Sequence, residues 1–271
     1  MKTTAWGVGS GAWVGLTLIV TAAAAQTLER RIAAAPDGTV RLSFAARPGV
    51  CGDGRGSVSM DCDDGTCGRY TVNVGNRDRS EVEYDCDPGP VRVSMRVSGG
   101  HITSLRTYVG GRWRTATDGV TDLGTVGARE AATYFLALAA KDSDAAAEHA
   151  VFPAIIADSV TVWPDLLRLA KNTRVSRRAR RQAVFWLGQA AGEAATKGLS
   201  DLVEDRTGDR EVREQAVFAL SQRPHDEGVP ALIRIARENP DPELRKKAIF
   251  WLGQSDDPRA LALFEELLTR P

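Results

Sequence analysis

The stretch AVFWLGQ at residues 183–189 recurs twice further along the chain, as AVFALSQ at residues 216–222 and as AIFWLGQ at residues 248–254. The copies begin 33 and 32 residues apart. A fixed period of this length is typical of solenoid proteins, in which each repeat is one supersecondary unit. The spacing therefore predicts that the C-terminal half of the chain is an array of stacked helical repeats.

The apolar residues of this stretch cover more than one side of the predicted helix. Ala183, Val184 and Leu187 share one broad face, and the aromatic pair Phe185 and Trp186 extends the apolar surface most of the way round. A helix that is apolar nearly all round has to be covered on more than one side. Stacked repeats provide that cover, so we expect the tryptophans to lie in the core between repeats.

The repeat extends in both directions from this stretch. Residues 150–152 again read AVF, but Pro153 replaces the tryptophan, so we expect this first copy to kink or end early. A second apolar column runs through Leu166, Leu199, Leu232 and Phe264. The predicted helix pairs span residues 145–173, 177–206, 210–238 and 242–269, and one further helix is predicted near residues 127–140.

A shared pattern connects the repeats to a known family. The residues Asp209, Val212, Arg213 and Ala216, followed by VPALI at residues 229–233, resemble the HEAT repeat family, and the pattern returns from Asp241 onward. Within that family the likeness is to the shorter repeats named after the phycobilisome lyases. The resemblance covers residues 145–271 and implies an α-solenoid that serves as a protein-binding scaffold, without lyase activity. The combined layout is similar to exported bacterial proteins with C-terminal HEAT repeats.

The second helix of each predicted pair carries charged residues on the side away from its apolar stripe. They are Arg168 and Lys171, Asp201 and Glu204, Arg234 and Arg237, and Glu266. The family geometry implies that this column lies on the concave face, where the sign of the charge alternates. One interpretation is a ladder of ion pairs between repeats, which contributes little to stability at a surface. The other is a charge pattern that selects a partner; the sequence leaves both open.

The N-terminal part of the chain has a different periodicity. Apolar residues alternate with polar ones from Val40 to Phe44, again at residues 70–74 and at residues 91–97, and a Gly-Gly pair at residues 99–100 fits a tight hairpin turn. Residues 39–114 are therefore predicted to form a small antiparallel β unit of five or six strands. Residues 115–125 are polar and rich in turn-forming residues, so we predict a linker there. The expected fold class is α+β, with the β unit preceding the solenoid.

The first 25 residues are typical of a secretory signal peptide. Lys2 supplies a positive charge, residues 12–20 form a short apolar core, and small alanines precede Gln26. The apolar run is shorter than the roughly 20 residues that span a membrane, which disfavours a transmembrane anchor. The predicted organisation is a signal peptide (1–25), a disulfide-linked β unit with its linker (26–125) and the solenoid (126–271). The expected location is periplasmic or secreted.

All four cysteines lie in the predicted β unit. An even, clustered set in an exported chain indicates disulfides, and four cysteines allow three pairings. Cys62 and Cys67 flank an Asp-Gly turn, which favours a Cys62–Cys67 pair together with Cys51–Cys86. Their spacing lacks the paired short knuckles of a zinc site, so we predict no metal site.

The sequence carries no enzyme motif. His101, His149 and His225 are isolated, and neither a metalloprotease motif nor a nucleophile elbow is present. Formal net charge is zero, so no overall field attracts nucleic acid. We therefore expect a non-enzymatic scaffold without a cofactor, which binds another protein through the solenoid and forms a homodimer through the exposed C-terminal end of the solenoid. The alternative is a regulatory or sensory subunit whose β unit binds a ligand or an envelope component.

Overall fold

The computed structural model describes residues 27–63, 66–73, 86–141, 146–190 and 192–269, with the backbone alone for residues 61–63 and 66–73. The predicted signal peptide lies outside the described residues. The elements, in chain order, are α1 (Leu28–Ala33), β1 (Gly38–Phe44), β2 (Cys51–Gly52), β3 (Ser57–Asp63), β4 (Thr66–Asn73), β5 (Val91–Ser98), β6 (His101–Val109), β7 (Val120–Thr125), α2 (Ala128–Ala139), α3 (Ala147–Ile155), α4 (Trp163–Lys171), α5 (Arg177–Gly188), α6 (Glu193–Glu204), α7 (Arg210–Ser221), α8 (His225–Glu238), α9 (Pro242–Leu252) and α10 (Pro258–Thr269). This order confirms the predicted α+β class: a small β region precedes a run of helices.

The described strands form two sheets, and most of their pairs are antiparallel. The larger sheet has the order β6-β5-β1-β7, and the smaller one has the order β2-β3-β4. In β1 the alternating residues Val40, Leu42 and Phe44 are buried, as the period of two predicts. The β5–β6 hairpin turns at Gly99 and Gly100, whose φ angles of 58° and 77° are accessible to glycine at little cost.

The predicted linker is only partly a linker. Residues 120–125 form strand β7, which pairs with β1 in the parallel direction. The prediction of a linker over residues 115–125 was therefore wrong for residues 120–125, and the otherwise antiparallel β unit has one parallel strand pair at this edge. The physical reason is that β7 is an edge strand with largely exposed side chains, so it lacks the apolar alternation that reveals a strand half-buried in a core.

The β region and the helices share one apolar core. The ring of Phe44 in β1 packs against the ring of Phe135 in α2, with centroids 6.1 Å apart. The backbone N–H of Val126 donates to the carbonyl of Ser43 at 2.8 Å. Glu130 in α2 accepts a hydrogen bond from the N–H of Leu28 at the start of α1, also at 2.8 Å. The β region therefore forms a packed end to the helical array rather than a tethered module.

Four helix pairs lie among the described residues, and their positions confirm the prediction. We call α3, α5, α7 and α9 the A helices, and α4, α6, α8 and α10 the B helices. Pro153 lies inside α3, which ends two residues later. The B-helix column is buried at Leu166, Leu199 and Leu232. In the last pair Leu263 is buried instead, whereas Phe264 is only half-buried against the core.

Two buried arginines join consecutive A helices. Arg180 of α5 forms an ion pair with Asp209, the residue that precedes α7, and donates to the carbonyl of Val175 at 3.1 Å. Arg213 of α7 repeats the arrangement with Asp241, at 3.7 Å, and with the carbonyl of Val203, at 3.0 Å. A buried guanidinium needs such partners because an unpaired buried charge is costly. These arginines therefore fix the stacking of one repeat on the next.

A disulfide joins Cys51 to Cys86, with the two Cα atoms 5.2 Å apart, as predicted. It links β2 to the segment that precedes β5. The backbone register of β3 and β4 sets Cys62 opposite Cys67. Their side chains lie outside the described part of the chain, so the Cys62–Cys67 disulfide stays a prediction.

Removal of the observed disulfide is expected to destabilise the protein. The bond closes a segment with a sequence separation of 35, and cross-links of this kind contribute about 2–4 kcal/mol by restricting the unfolded chain. The C51S/C86S variant should therefore unfold at a lower urea concentration than the wild type when both are kept under oxidising conditions. Equal urea midpoints for the two proteins would contradict a stabilising Cys51–Cys86 bond.

Candidate partner-binding surfaces

The predicted column of charges lies on the B helices. Arg168 and Lys171 are on α4, Asp201 and Glu204 on α6, Arg234 and Arg237 on α8, and Glu266 on α10. These positions follow from the helical period, which keeps the apolar stripe of each B helix turned toward the core.

The column forms ion pairs between repeats at two of its steps. Glu204 of α6 pairs with Arg234 of α8 at 3.0 Å, and Arg237 of α8 pairs with Glu266 of α10. A carboxylate that already forms an ion pair with a neighbouring arginine is less available to bind an external partner. The interpretation of the column as a ladder of ion pairs therefore holds between α6 and α8 and between α8 and α10.

The α4 end of the column behaves differently. Arg168 pairs with Asp165 within its own helix, and Asp201 pairs with Lys197 within α6 at 3.2 Å. Hydrogen bonds from Thr207 lower the pKa of Asp205, with a smaller contribution from the charge of Lys171. The structure thus brings Glu204, Arg234, Arg237 and Glu266 into pairs but does not join α4 to α6 through Arg168, Lys171 or Asp201.

A double-mutant cycle on Glu204 and Arg234 should give a small coupling energy. Both side chains are about half exposed, and pairs of this kind contribute about 0.2–1 kcal/mol. The cycle uses E204A, R234A and the double variant, and urea unfolding measures the stability of each. A second cycle on Lys197 and Asp201, which pair within α6, serves as the control. A coupling energy of zero would show that this contact does not hold the repeats together.

Two neighbouring clefts lie on the other side of the array, along the A helices. A cleft of about 520 Å³ between α5 and α7 is lined by Arg177, Arg178, Arg181, Gln182, Phe185 and Gln215. A second cleft of about 230 Å³, between α7 and α9, shares Arg181 and Gln215 and adds Glu211, Glu214, Phe218, Lys247 and Trp251. Because they share two lining residues, the clefts form one continuous depression. We call it the A-helix groove.

Aromatic rings line the groove. Phe185 contacts Trp186, with centroids 5.0 Å apart, and Trp251 contacts both Phe218 and Phe250 at the same distance. Trp186 is buried, as predicted, but Trp251 is only half-buried and Phe250 is 57% exposed. The prediction that the tryptophans are core residues therefore holds for Trp186, whereas Trp251 also presents a surface to the groove.

Charge is distributed unevenly along the groove. The α5 end carries three arginine side chains that are each more than half exposed, Arg177, Arg178 and Arg181. Toward α9 the charges are mixed, and Lys247 pairs with Glu214 at 3.3 Å. The sequence alone does not reveal this surface, because its residues come from three helices that lie about 30 positions apart in the chain. One feature of the sequence does point to the groove. A phenylalanine recurs in every copy of the repeat motif, and it stands beside the most buried position of the helix rather than at that position.

Other classes of site find little support in the part of the chain that the structure describes. His101, His149 and His225 lie on separate elements, β6, α3 and the start of α8. Among the described residues no cluster of three or more histidine, cysteine, aspartate or glutamate side chains is arranged to hold a metal ion. None of the described helices is both long enough and apolar enough to cross a membrane.

Comparison with known proteins bears on the helical half. No curated protein matches the chain. Residues 199–271, which run from within α6 to the end of α10, match the family model described as HEAT repeats. The second half of the solenoid is thus similar to HEAT repeats, a class that generally serves as a scaffold for protein–protein interaction.

Proposed function

We propose that this protein is an exported, non-enzymatic scaffold that binds a partner protein through its solenoid. The A-helix groove is the observation that carries the proposal. It spans three helices and combines half-exposed aromatic rings with exposed arginines, the residue types enriched in the centres of protein interfaces. The B-helix column, by contrast, forms ion pairs between repeats at two of its steps.

Export is supported by two independent features. Residues 1–25 have the composition of a signal peptide, and the Cys51–Cys86 disulfide requires an oxidising compartment to persist. We place the protein in the periplasm or outside the cell. The repeat period of 32–33 residues supports assignment of the repeats to the short type named after the phycobilisome lyases.

Affinity capture with two matched variants tests the proposal. Gln182→Trp fills the A-helix groove from an exposed position, and Lys171→Trp adds the same side chain at an exposed position on α4. The tagged proteins are used to capture partners from an envelope fraction of the source cells. We expect a protein that is captured by the wild type and by Lys171→Trp but lost with Gln182→Trp, at unchanged melting temperatures.

The other outcomes would overturn parts of the proposal. Loss of capture with Lys171→Trp alone would place the binding surface on the B helices. Capture that neither variant affects would favour the alternative, in which the β region binds a ligand or an envelope component. If no protein is captured by the wild type above background, the scaffold function itself fails.

We also propose that the C-terminal end of the solenoid forms a homodimer. Leu261 and Leu268 in α10 are 61% and 86% exposed, and they lie two helical turns apart on one face. Exposed apolar side chains grouped on one face favour self-association. Light scattering should give a dimer mass that falls to the monomer mass in Leu261→Lys/Leu268→Lys; a monomer mass for the wild type at high concentration would contradict the dimer.

A further inference from the structure

We infer that the partner enters the A-helix groove as an extended peptide segment, with acidic side chains at the α5 end and an apolar side chain at the α9 end. This inference rests on the proposed scaffold function and specifies the chemistry of the segment that is bound. It follows from the charges, the aromatic surface and the length of the groove.

The α5 end of the groove is basic. Arg177, Arg178 and Arg181 line the larger cleft together with two carboxamides and a phenylalanine, and none of the acidic side chains that the structure describes lines it. Arginine presents a planar fork of donors that matches a carboxylate in two parallel hydrogen bonds. Clusters of exposed arginines are a recurrent means of recognising acidic peptide motifs.

Neighbouring glutamates neutralise these arginines only in part. Glu211 lies 3.0 Å from Arg177 and 3.9 Å from Arg181, and Glu148 pairs with Arg178. Among the described residues three exposed arginines thus share two glutamates, which leaves an excess of positive charge. Ion pairs between half-exposed side chains contribute about 0–1 kcal/mol each, so an incoming carboxylate can exchange with them at little cost.

The α9 end of the groove offers an apolar surface instead. Phe218 and Trp251 line it, and the Trp251 ring contacts the exposed ring of Phe250. An aromatic or leucine side chain of a ligand would pack on these rings. Lys247 shares Glu214 with Arg210, and the cleft at this end is also lined by two acidic side chains, Glu211 and Glu214. The groove therefore distinguishes the two ends of a ligand that lies along it.

The length of the groove favours an extended segment over a small anion. The groove crosses from α5 over α7 to α9, and packed helices have axes roughly 9 Å apart, which makes the span about 18 Å. An extended chain rises about 3.3 Å per residue, so about five or six residues separate the arginines from Trp251. A phosphate ion or a single lipid headgroup would occupy the α5 end alone.

Peptide display tests the inference directly. A library of random dodecapeptides on phage is selected on the immobilised mature chain, and the enriched peptides are synthesised and titrated by fluorescence polarisation. We expect peptides with two or more acidic residues that lie about five or six positions from an aromatic residue or leucine. Their affinity should fall about tenfold or more in R178E/R181E, which corresponds to about 1.4 kcal/mol or more, and it should weaken with added salt.

The matched control reverses two charges on the opposite side of the array. R168E/K171E changes two exposed residues of α4, and peptide affinity should change less than about twofold, within the usual effect of surface substitutions. If R178E/R181E lowers the melting temperature, R178A/R181A replaces it in the same titration. Selection of basic or charge-independent peptides, equal binding by the two reversed variants, or displacement of the peptides by millimolar inorganic phosphate alone would each overturn the inference.

The peptide selection and the affinity capture can give different results, so the acidic segment and the scaffold function are tested separately. If the wild type captures a protein that Gln182→Trp loses while no acidic peptide is selected, the scaffold function stands and the acidic segment does not. If neither a protein nor a peptide binds, both fail.

Discussion

Replacement of Arg223 by alanine should lower the free energy of unfolding by about 3–5 kcal/mol, as expected when one member of a buried, hydrogen-bonded ion pair is removed. Arg223 lies between α7 and α8, and its side chain is almost fully buried. It donates to the hydroxyl of Thr196 at 2.8 Å, to the carbonyl of Gly192 at 3.0 Å and to the carbonyl of Ala190. It also pairs with Glu227 at 2.8 Å.

The size of the effect follows from what the alanine leaves behind. One side chain joins the α5–α6 connection, α6 and α8, so its loss removes the donors of two loop carbonyls and the counter-charge of Glu227 together. Buried acceptors without donors cost about 1–3 kcal/mol each, and more where a charge is involved. Urea unfolding monitored by circular dichroism measures the change. The matched control is Arg206→Ala, at an exposed arginine, which should change stability by less than about 0.5 kcal/mol; an Arg223→Ala effect as small as this would contradict the buried network.

The same network predicts a pH dependence. Hydrogen bonds from Thr196 and Arg223 hold the pKa of Glu227 below its ordinary value. A carboxyl group with a depressed pKa in the folded state contributes stability that is present above its unfolded pKa and lost as the pH falls through its folded pKa. The stability gap between the wild type and Arg223→Ala should therefore be constant near neutral pH and narrow below about pH 4. A gap that stays constant down to about pH 3 would show that Glu227 is not the titrating partner.

Trp186→Ala should also cost about 3–5 kcal/mol, the usual range for truncation of a buried tryptophan or phenylalanine. Trp186 is 5% exposed. Its ring contacts Phe152 of the preceding A helix, with centroids 5.5 Å apart, and Phe185 of its own helix at 5.0 Å. The cavity left by the substitution would lie between α3 and α5, where the first repeat meets the second, and close-packed interiors relax only partly around such a void.

The repeat itself supplies the control for this prediction. Trp251 occupies the equivalent position two copies later, but it is only half-buried and lines the A-helix groove. Trp251→Ala should therefore cost less than half as much as Trp186→Ala in the same urea titration. Equal losses for the two tryptophans would mean that Trp251 is a core residue and that the groove is closed in solution.

The helical half of the fold was predictable because its information is repeated. A period of 32–33 residues, shared by AVFWLGQ and its copies, places every A helix, and the column through Leu166, Leu199 and Leu232 places the B helices. Stacked repeats contact mainly their neighbours, so a local pattern determines the architecture. An arginine also recurs at one position of successive repeats, as Arg180, Arg213 and Arg245. The first two form equivalent ion pairs with the next repeat.

The β region was only partly predictable because its decisive contacts are long-range. The alternation of β1 and β5 reveals a half-buried sheet, but β7 is an exposed edge strand, and its parallel pairing with β1 joins residues about 80 positions apart. Local residue types do not encode such a pairing. The common core of β1 and α2 likewise depends on Phe44 meeting Phe135, which no period in the sequence connects.

The A-helix groove could not be predicted from the sequence for a related reason. The outward charges of the B helices were conspicuous in the sequence, and the structure shows that Glu204, Arg234, Arg237 and Glu266 are paired with one another. The groove arises where side chains of three different A helices meet, and Phe218 and Trp251 look like core residues in each copy taken alone. The role of Arg223 could not be predicted from the repeat, because an arginine occurs only once at this position. Ala190 and Ser255 stand at the equivalent positions of the neighbouring copies.

Site-specific photocrosslinking shows most directly whether the A-helix groove or the B-helix column is the binding surface. Benzoylphenylalanine replaces Phe250, whose exposed ring contacts Trp251 at the α9 end of the groove, and in a separate variant it replaces Lys171 on the exposed side of α4. After irradiation in the source cells, adducts are resolved by gel electrophoresis and identified by mass spectrometry. We expect a discrete protein adduct from position 250 and none from position 171. An adduct from position 171 with none from position 250 would contradict binding in the groove.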